Sequence, residues 1–242
     1  MIEKAYGASV RGKMHIQNKL PNQDAFLVYN SKYYTLAVVC DGLGSKKHSR
    51  VASKRLCKII KKQVHKRFKK RALKPYDLVK DIQIKFKKKI WPFNLKNCDT
   101  TCLFSLISST SILLFQLGDG LNVVKYNNNI VKCDSQEKDF TNETRAFGNS
   151  KQSDWMFKSI VKEKNINYEL LLCTDGISED IIDDSILDFI TTICINTKGK
   201  NKNNSYLKNV LDTWPNKYSN DDKTIVVVKW LWMNYLLIQL KM

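Results

Sequence analysis

Arginine is scarce in this chain: Arg11, Arg50, Arg55, Arg67, Arg71 and Arg145 are the only ones among 41 basic residues in 242. Base-edge readout leans on arginine, and the lysine-rich stretch from Lys46 to Lys96 lacks aromatics at stacking intervals. Despite a net charge of +18, that stretch therefore reads as the solvated face of helices, not as a specific nucleic-acid surface. Histidine is limited to His15, His48 and His65, scattered through loop or lysine-rich sequence and expected at the surface. No Ser or Cys nucleophile has a base and orienter to match. The seven cysteines include no CxxC pair, which excludes a zinc ribbon or disulfide framework and predicts free core thiols in a reducing cytoplasm. Long apolar runs are missing too. The longest, from Trp230 to Leu240, is broken by Asn234 and Gln239 and falls short of the ~20 residues a spanning helix needs. No basic start followed by an apolar run opens the chain, so the expectation is a cytoplasmic protein without a membrane span.

What the sequence does have is strands that end in acid. Tyr34 to Cys40, YTLAVVC, runs straight into DGLGS. Such a run reads as a buried strand that delivers the Asp41 carboxylate to its tip, where glycine lets the chain turn away. Ala5–Val10 and Ala25–Tyr29 have strand-like composition, and with 34–40 they are expected as neighbours in one sheet, joined by the polar loop RGKMHIQNKLPNQD. After DGLGS the period changes to that of two amphipathic helices, at about 49–70 and 76–90, the second with Pro75 at its first turn. TTCLFSLIS, SILLFQLGDG, LNVVKY and IVKC then read as an antiparallel meander. Residues 134–154 read as a long loop, and 155–161 as a strand. ELLLC ends in TDGISED, helical patterns follow at about 185–195 and 204–214, and Asp221 and Asp222 precede the last β-branched strand.

Acidic residues thus stand at the ends of several buried strands, at 24, 41, 119, 175 and 221. Like charges gathered at one end of a sheet repel unless cations neutralise them, and an oxygen-only set suits hard ions such as Mg²⁺ and Mn²⁺.

The ordered strings NQDAF (22–26), VVCDGLGS (38–45), DTTCL (99–103), LGDG (117–120), TRAFG (144–148), LLLCTDGISED (170–180) and NDDKTIVVV (220–228) resemble the metal-dependent Ser/Thr protein phosphatases of type 2C, in their compact bacterial form. The resemblance implies an α+β fold, a four-layer αββα sandwich with two central antiparallel sheets each covered by a helix pair. One domain would span 1–242, with an apolar tail at 230–242 whose role stays open. It implies two Mn²⁺ or Mg²⁺ ions and hydrolysis of phosphoserine or phosphothreonine by a hydroxide bridging them. Position by position, Asp41 resembles the carboxylate bridging both ions and Gly42 the carbonyl ligand of the second. Asp175 and Asp221 resemble the other ligands of the first, Asp24 a residue acting through metal-bound water, and Asp119 the ligand of a further, weaker metal. The implied partners are a phosphorylated protein and a cognate Ser/Thr kinase.

Three positions depart from the pattern. Lys19 stands where many relatives have a phosphate-gripping arginine, and it supplies charge without a bidentate fork, leaving His15 or Arg11 as helpers. Leu43 replaces a proposed acid, and Gln23 replaces a glutamate. The alternative these departures leave open is a catalytically weak or inactive scaffold that binds phosphoproteins. Thr100, Thr101 and TRAFG read as structural, Asp222 as turned away from the metals, and Asp180, Asp183 and Asp184 as decorating a helix start.

Overall fold

Period-two alternation sorts the apolar side chains of each central strand between two cores, because both faces of each sheet are covered. The computed structural model describes residues 2–70, 73–127, 129–134, 145–148, 150–197, 203–215 and 217–231. In chain order the first half forms β1 (Ile2–Val10), α1 (Lys13–Gln17), β2 (Ala25–Asn30), β3 (Tyr34–Cys40), α2 (Ser49–Lys69), α3 (Pro75–Lys89), β4 (Cys102–Ser108) and β5 (Ser111–Leu117). The second half forms β6 (Leu121–Tyr126), β7 (Asn129–Lys132), β8 (Met156–Val161), β9 (Tyr168–Cys173), α4 (Asp175–Ser178), α5 (Ile186–Asn196), α6 (Asn203–Asp212) and β10 (Lys223–Leu231).

Two five-stranded sheets result, in the orders β2-β3-β4-β5-β8 and β1-β10-β9-β6-β7, with antiparallel pairing throughout. On β3, Leu36, Val38 and Cys40 face α2 and α3, while Ala37 and Val39 join a second core with Leu170, Leu172, Val226 and Val228 of the opposite sheet. On β9 and β10, Leu171, Cys173, Ile225 and Val227 face α5 and α6. The protein is a four-layer αββα sandwich. Along α2, Ala52, Leu56, Ile59 and Ile60 are buried, while Arg50, Lys54, Lys58, Lys62 and Lys66 face outward, so the lysine-rich stretch is a solvated helix face in this fold. All seven cysteines are buried and free. No helix among the described residues is long and apolar enough to cross a membrane.

Three sequence expectations need correction. First, β1 is not a neighbour of β2 and β3; it pairs with β10 in the other sheet, Gly7 opposite Val226. The segment between β1 and β2 crosses from sheet to sheet, and it is no mere loop: it contains α1, fastened by the Gly12 amide to Asp222. Second, the meander is split. β4 and β5 form a hairpin in one sheet, β6 and β7 one in the other, and Gly118 and Gly120, at φ of 85° and 109°, redirect the chain between them. Third, Asp180 does more than decorate a helix start: it accepts hydrogen bonds from the Trp214 indole at 2.7 Å and the Tyr218 amide at 2.7 Å, tying α4 to the segment before β10. The tail from 232 onward lies outside the described residues, as does Thr144 of the TRAFG string.

Candidate metal centre

The registers of the central strands bring acids from both sheets to one end of the sandwich. Ala25 pairs with Cys40, so Asp24 at the start of β2 and Asp41 at the end of β3 are neighbours. Asp41 is held by its backbone: its amide donates to the Thr101 hydroxyl oxygen at 3.1 Å, and its carbonyl accepts the Thr100 hydroxyl at 2.6 Å and the Thr101 amide at 2.8 Å. Gly42 forms an isolated bridge with Thr100, and a Cβ there would meet the Gln23 carbonyl at 2.8 Å. The two threonines thus fix the Asp41 backbone, and nearby the Gly148 amide donates to Asp99 at 2.7 Å.

The opposite sheet contributes through β9 and β10, where Cys173 pairs with Ile225. Thr174 and Thr224, the next residues toward that end, both donate to Asp24 Oδ2, at 3.1 and 2.7 Å, and so link the two sheets through one carboxylate. Asp175 begins α4, and Gly176 lies so close to the start of β10 that a Cβ would come within 2.1 Å of the Asp222 carbonyl. A groove of 380 Å³ beside Asp24 is lined by Asn22, Phe26, Arg50, Lys54 and Lys58 among others.

Charge dominates this end. Burial, then the charge of Asp222, pushes Asp24 up to about 8. Burial, then the charges of Asp24, Asp175 and Asp221, raises Asp41 well above the usual carboxylate range. Asp175 is raised by burial first, and the charges of Asp221 and Asp119 add to the rise, opposed by hydrogen bonding with Asp41 and from the Gly176 amide. Glu179 is raised as well, by burial and then by Asp175 and Asp119. The carboxyls of Asp24 and Asp41, and those of Asp41 and Asp175, are close enough to perturb each other's ionisation directly.

The structure thus brings Asp24, Asp41, Asp175 and Asp221 together, with Asp119 exposed at the margin. It does not draw Asp41, Asp175 and Asp221 into one set: among the described residues, the group whose ligand atoms all lie within 4.8 Å of one another is His15, Asp221 and Asp222. Lys19 is exposed, on a turn at φ of 55°. Two residues escaped the sequence reading. His15, expected at the surface, is only 1% exposed, because α1 lays it against Asp222, whose Oδ2 lies 2.7 Å from its Nδ1. Asp222, expected to turn away from the metal ligands, instead has a carboxylate oxygen within 4.8 Å of ligand atoms of both Asp221 and His15, and it is an anchor that also accepts the Gly12 and Gln23 amides at 2.8 and 2.6 Å. The doubled Asp before a β-branched strand was the one sequence signal for it. The donor set fits hard divalent cations: half-buried carboxylates from separate strands, their charged forms opposed by one another, and a buried Asp24 Oδ1 that receives no hydrogen bond.

The sequence profile of the family described as protein phosphatase 2C matches residues 11–212. No curated protein matches the chain by sequence. In fold the chain is similar to a bacterial serine phosphatase, at 20% identity and a TM-score of 0.64, over 94% of this chain and 98% of that one. It is similar also to the Mycobacterium tuberculosis serine/threonine phosphatase PstP/Ppp, at 16% identity and a TM-score of 0.64, over 96% and 100%. A third structure, the catalytic domain of the serine threonine protein phosphatase PstP in complex with two manganese ions, matches at 16% identity and a TM-score of 0.62, over 95% and 99%. At these identities the likeness is one of fold.

Proposed function

The chain belongs to the protein phosphatase 2C family, and from that membership and its carboxylate cluster we propose that it is a metal-dependent phosphatase hydrolysing phosphoserine and phosphothreonine in proteins. The observation that carries this is the convergence of Asp24, Asp41, Asp175 and Asp221 from both sheets, close enough that their charges raise one another's carboxyl pKa values. An arrangement so costly to ionise persists where cations neutralise it.

In this reading Asp41, the Gly42 carbonyl, Asp175 and Asp221 hold two Mn²⁺ or Mg²⁺ ions, and Asp119 lies where a third would bind. When bound, the ions supply Lewis acidity that makes water a nucleophile near neutral pH and offsets charge on the phosphoryl oxygens. Thr100 and Thr101 keep the Asp41 backbone fixed, so its carboxylate needs no reorganisation. Asp24, with Oδ2 held by two threonines and Oδ1 open, accepts from and orients a water. Lys19 and the bordering Arg50 and Lys54 offer positive charge to an incoming phosphate. The substrate is a phosphoprotein made by a Ser/Thr kinase in the same compartment, the cytoplasm, and one catalytic domain occupies the whole chain.

Hydrolysis of a phosphothreonine peptide with added Mn²⁺, against EDTA, tests this. Turnover that depends on the ion and falls at least about 100-fold in both Asp41→Asn and Asp175→Asn is expected. A folded protein that binds Mn²⁺ and phosphopeptide without turnover would instead be a phosphoprotein-binding scaffold.

A further inference from the structure

His15 is a buried side chain whose chemistry the reading above leaves unused. It sits on α1, 1% exposed. Its Nδ1 lies 2.7 Å from Asp222 Oδ2, a carboxylate that also takes the amides of Gly12 and Gln23. Asp222 Oδ2 is thereby the acceptor and Nδ1 the donor, and in the neutral ring this leaves the lone pair on Nε2. Nε2 is buried and without a hydrogen-bond partner. What it faces is another acceptor, Asp221 Oδ1, at 3.6 Å. In that tautomer two lone pairs face each other without a donor, and a proton on Nε2 would not make the contact a hydrogen bond, since 3.6 Å is too long for one. It is the separation of two atoms that share a cation: with bonds of about 2.1 Å to one ion, ligand atoms stand about 3.0 Å apart at a right angle and about 3.6 Å apart near 120°. An imidazole that donates its far N–H to a carboxylate is also the usual form of a metal-ligating histidine, oriented and made more basic by that partner.

We propose that His15 Nε2 and Asp221 Oδ1 hold one divalent cation between them, so that the metal centre carries an imidazole nitrogen beside its carboxylates, with Asp222 as the carboxylate that orients the ring. The inference rests on the two-metal reading above and deepens it. Nitrogen in the ligand set favours Mn²⁺ and later transition ions over Mg²⁺ at this position. It also gives a reason for Gly12: a Cβ there would come within 2.2 Å of the Asp221 backbone, so α1 reaches its place beside both aspartates only with glycine at its start.

Pulsed EPR on the untagged full chain loaded with Mn²⁺ reads the ligand directly, because a coordinated imidazole leaves a ¹⁴N modulation that carboxylates and water do not. The expected result is such a modulation in the parent protein, its loss in His15→Gln, and weaker Mn²⁺ binding in that variant by about tenfold or more in a direct titration. The chain has three histidines, so a His48→Gln/His65→Gln double variant identifies the nitrogen even if His15→Gln fails to fold: the modulation persists there if His15 is the ligand. Bound Mn²⁺ without imidazole nitrogen, or a modulation lost with His48 and His65, would overturn this inference alone. Failure of the parent chain to bind Mn²⁺ at all would overturn it together with the two-metal reading.

Discussion

Asp24 and Asp222 lie at the same end of the sandwich, 4% and 2% exposed, and are treated oppositely by their surroundings. Asp222 has both oxygens occupied, by two backbone amides and a histidine ring. Asp24 has one oxygen shared by two threonine hydroxyls, the other bare, and the carboxyl of Asp41 close by. Donors fixed on both oxygens make a buried carboxylate a structural anchor, since losing it would leave them all unsatisfied. A carboxylate among other carboxylates is suited to serve a cation, directly or through its water, since its charge is disfavoured until positive charge arrives. Residue type and burial are the same for both, and the donors decide.

Replacing each acid in turn is the sharpest way to break that comparison. Asp222→Ala strips the acceptor from Gly12, Gln23 and His15 at once, and should cost about 3–5 kcal/mol in urea unfolding of the metal-free protein. Asp24→Asn keeps the shape and replaces a carboxyl that the metal-free protein holds largely protonated at neutral pH, so its metal-free stability there should stay within about 1 kcal/mol of the parent or exceed it. The order reverses for function, with Asp24→Asn lowering metal-dependent turnover about 10–100-fold in a folded protein. Equal stability losses in the two variants would erase the distinction.

The next effect is smaller and depends on pH. The folded-state pKa of Asp24, about 8, lies above its unfolded value, and those of Asp41 and Asp175 are raised also. Between the unfolded carboxylate range near pH 4 and about pH 8, the folded state therefore holds protons that the unfolded chain has released. The stability this confers is complete below about pH 4 and disappears as pH rises through about 8. With EDTA present, Tm should fall from pH 5 to pH 8. Mn²⁺ should flatten that fall, and Asp24→Asn should reduce its slope without any metal. A slope unchanged by either would mean that other groups govern it.

Much of the fold was legible because its information is local. YTLAVVC, ELLLC and TIVVV are apolar on both faces and end in acid or begin after it, which places strands inside a sandwich and carboxylates at one of its ends. The helix pairs were readable from period and from Pro75. What could not be read was sheet membership. β1 has ordinary strand composition and pairs with β10, more than 200 positions away, and nothing local distinguishes that partner from β2. His15 was misread for a related reason: in a polar segment between two strands a histidine suggests surface, and only the packing of α1 against Asp222 buries it. Asp41, Asp175 and Asp221 were legible as strand-end acids, whereas the role of Asp222 depends on amides contributed by Gly12 and Gln23.

Lys19 gives the smallest effect. It is an exposed charge at φ of 55°, a conformation that favours glycine, on a turn whose amide bonds back to Ile16. An exposed ammonium contributes little in high dielectric and grips phosphate without a fork, so Lys19→Ala should raise KM for a phosphopeptide by no more than about threefold and leave kcat unchanged. Lys19→Gly removes the same charge and relieves the left-handed backbone, adding up to about 1 kcal/mol of stability. If the two variants share one KM, the charge alone was at work. If KM rises only with glycine, the rigidity of the turn matters, and if kcat collapses in both, Lys19 reaches the reacting phosphate and ranks with the buried acids.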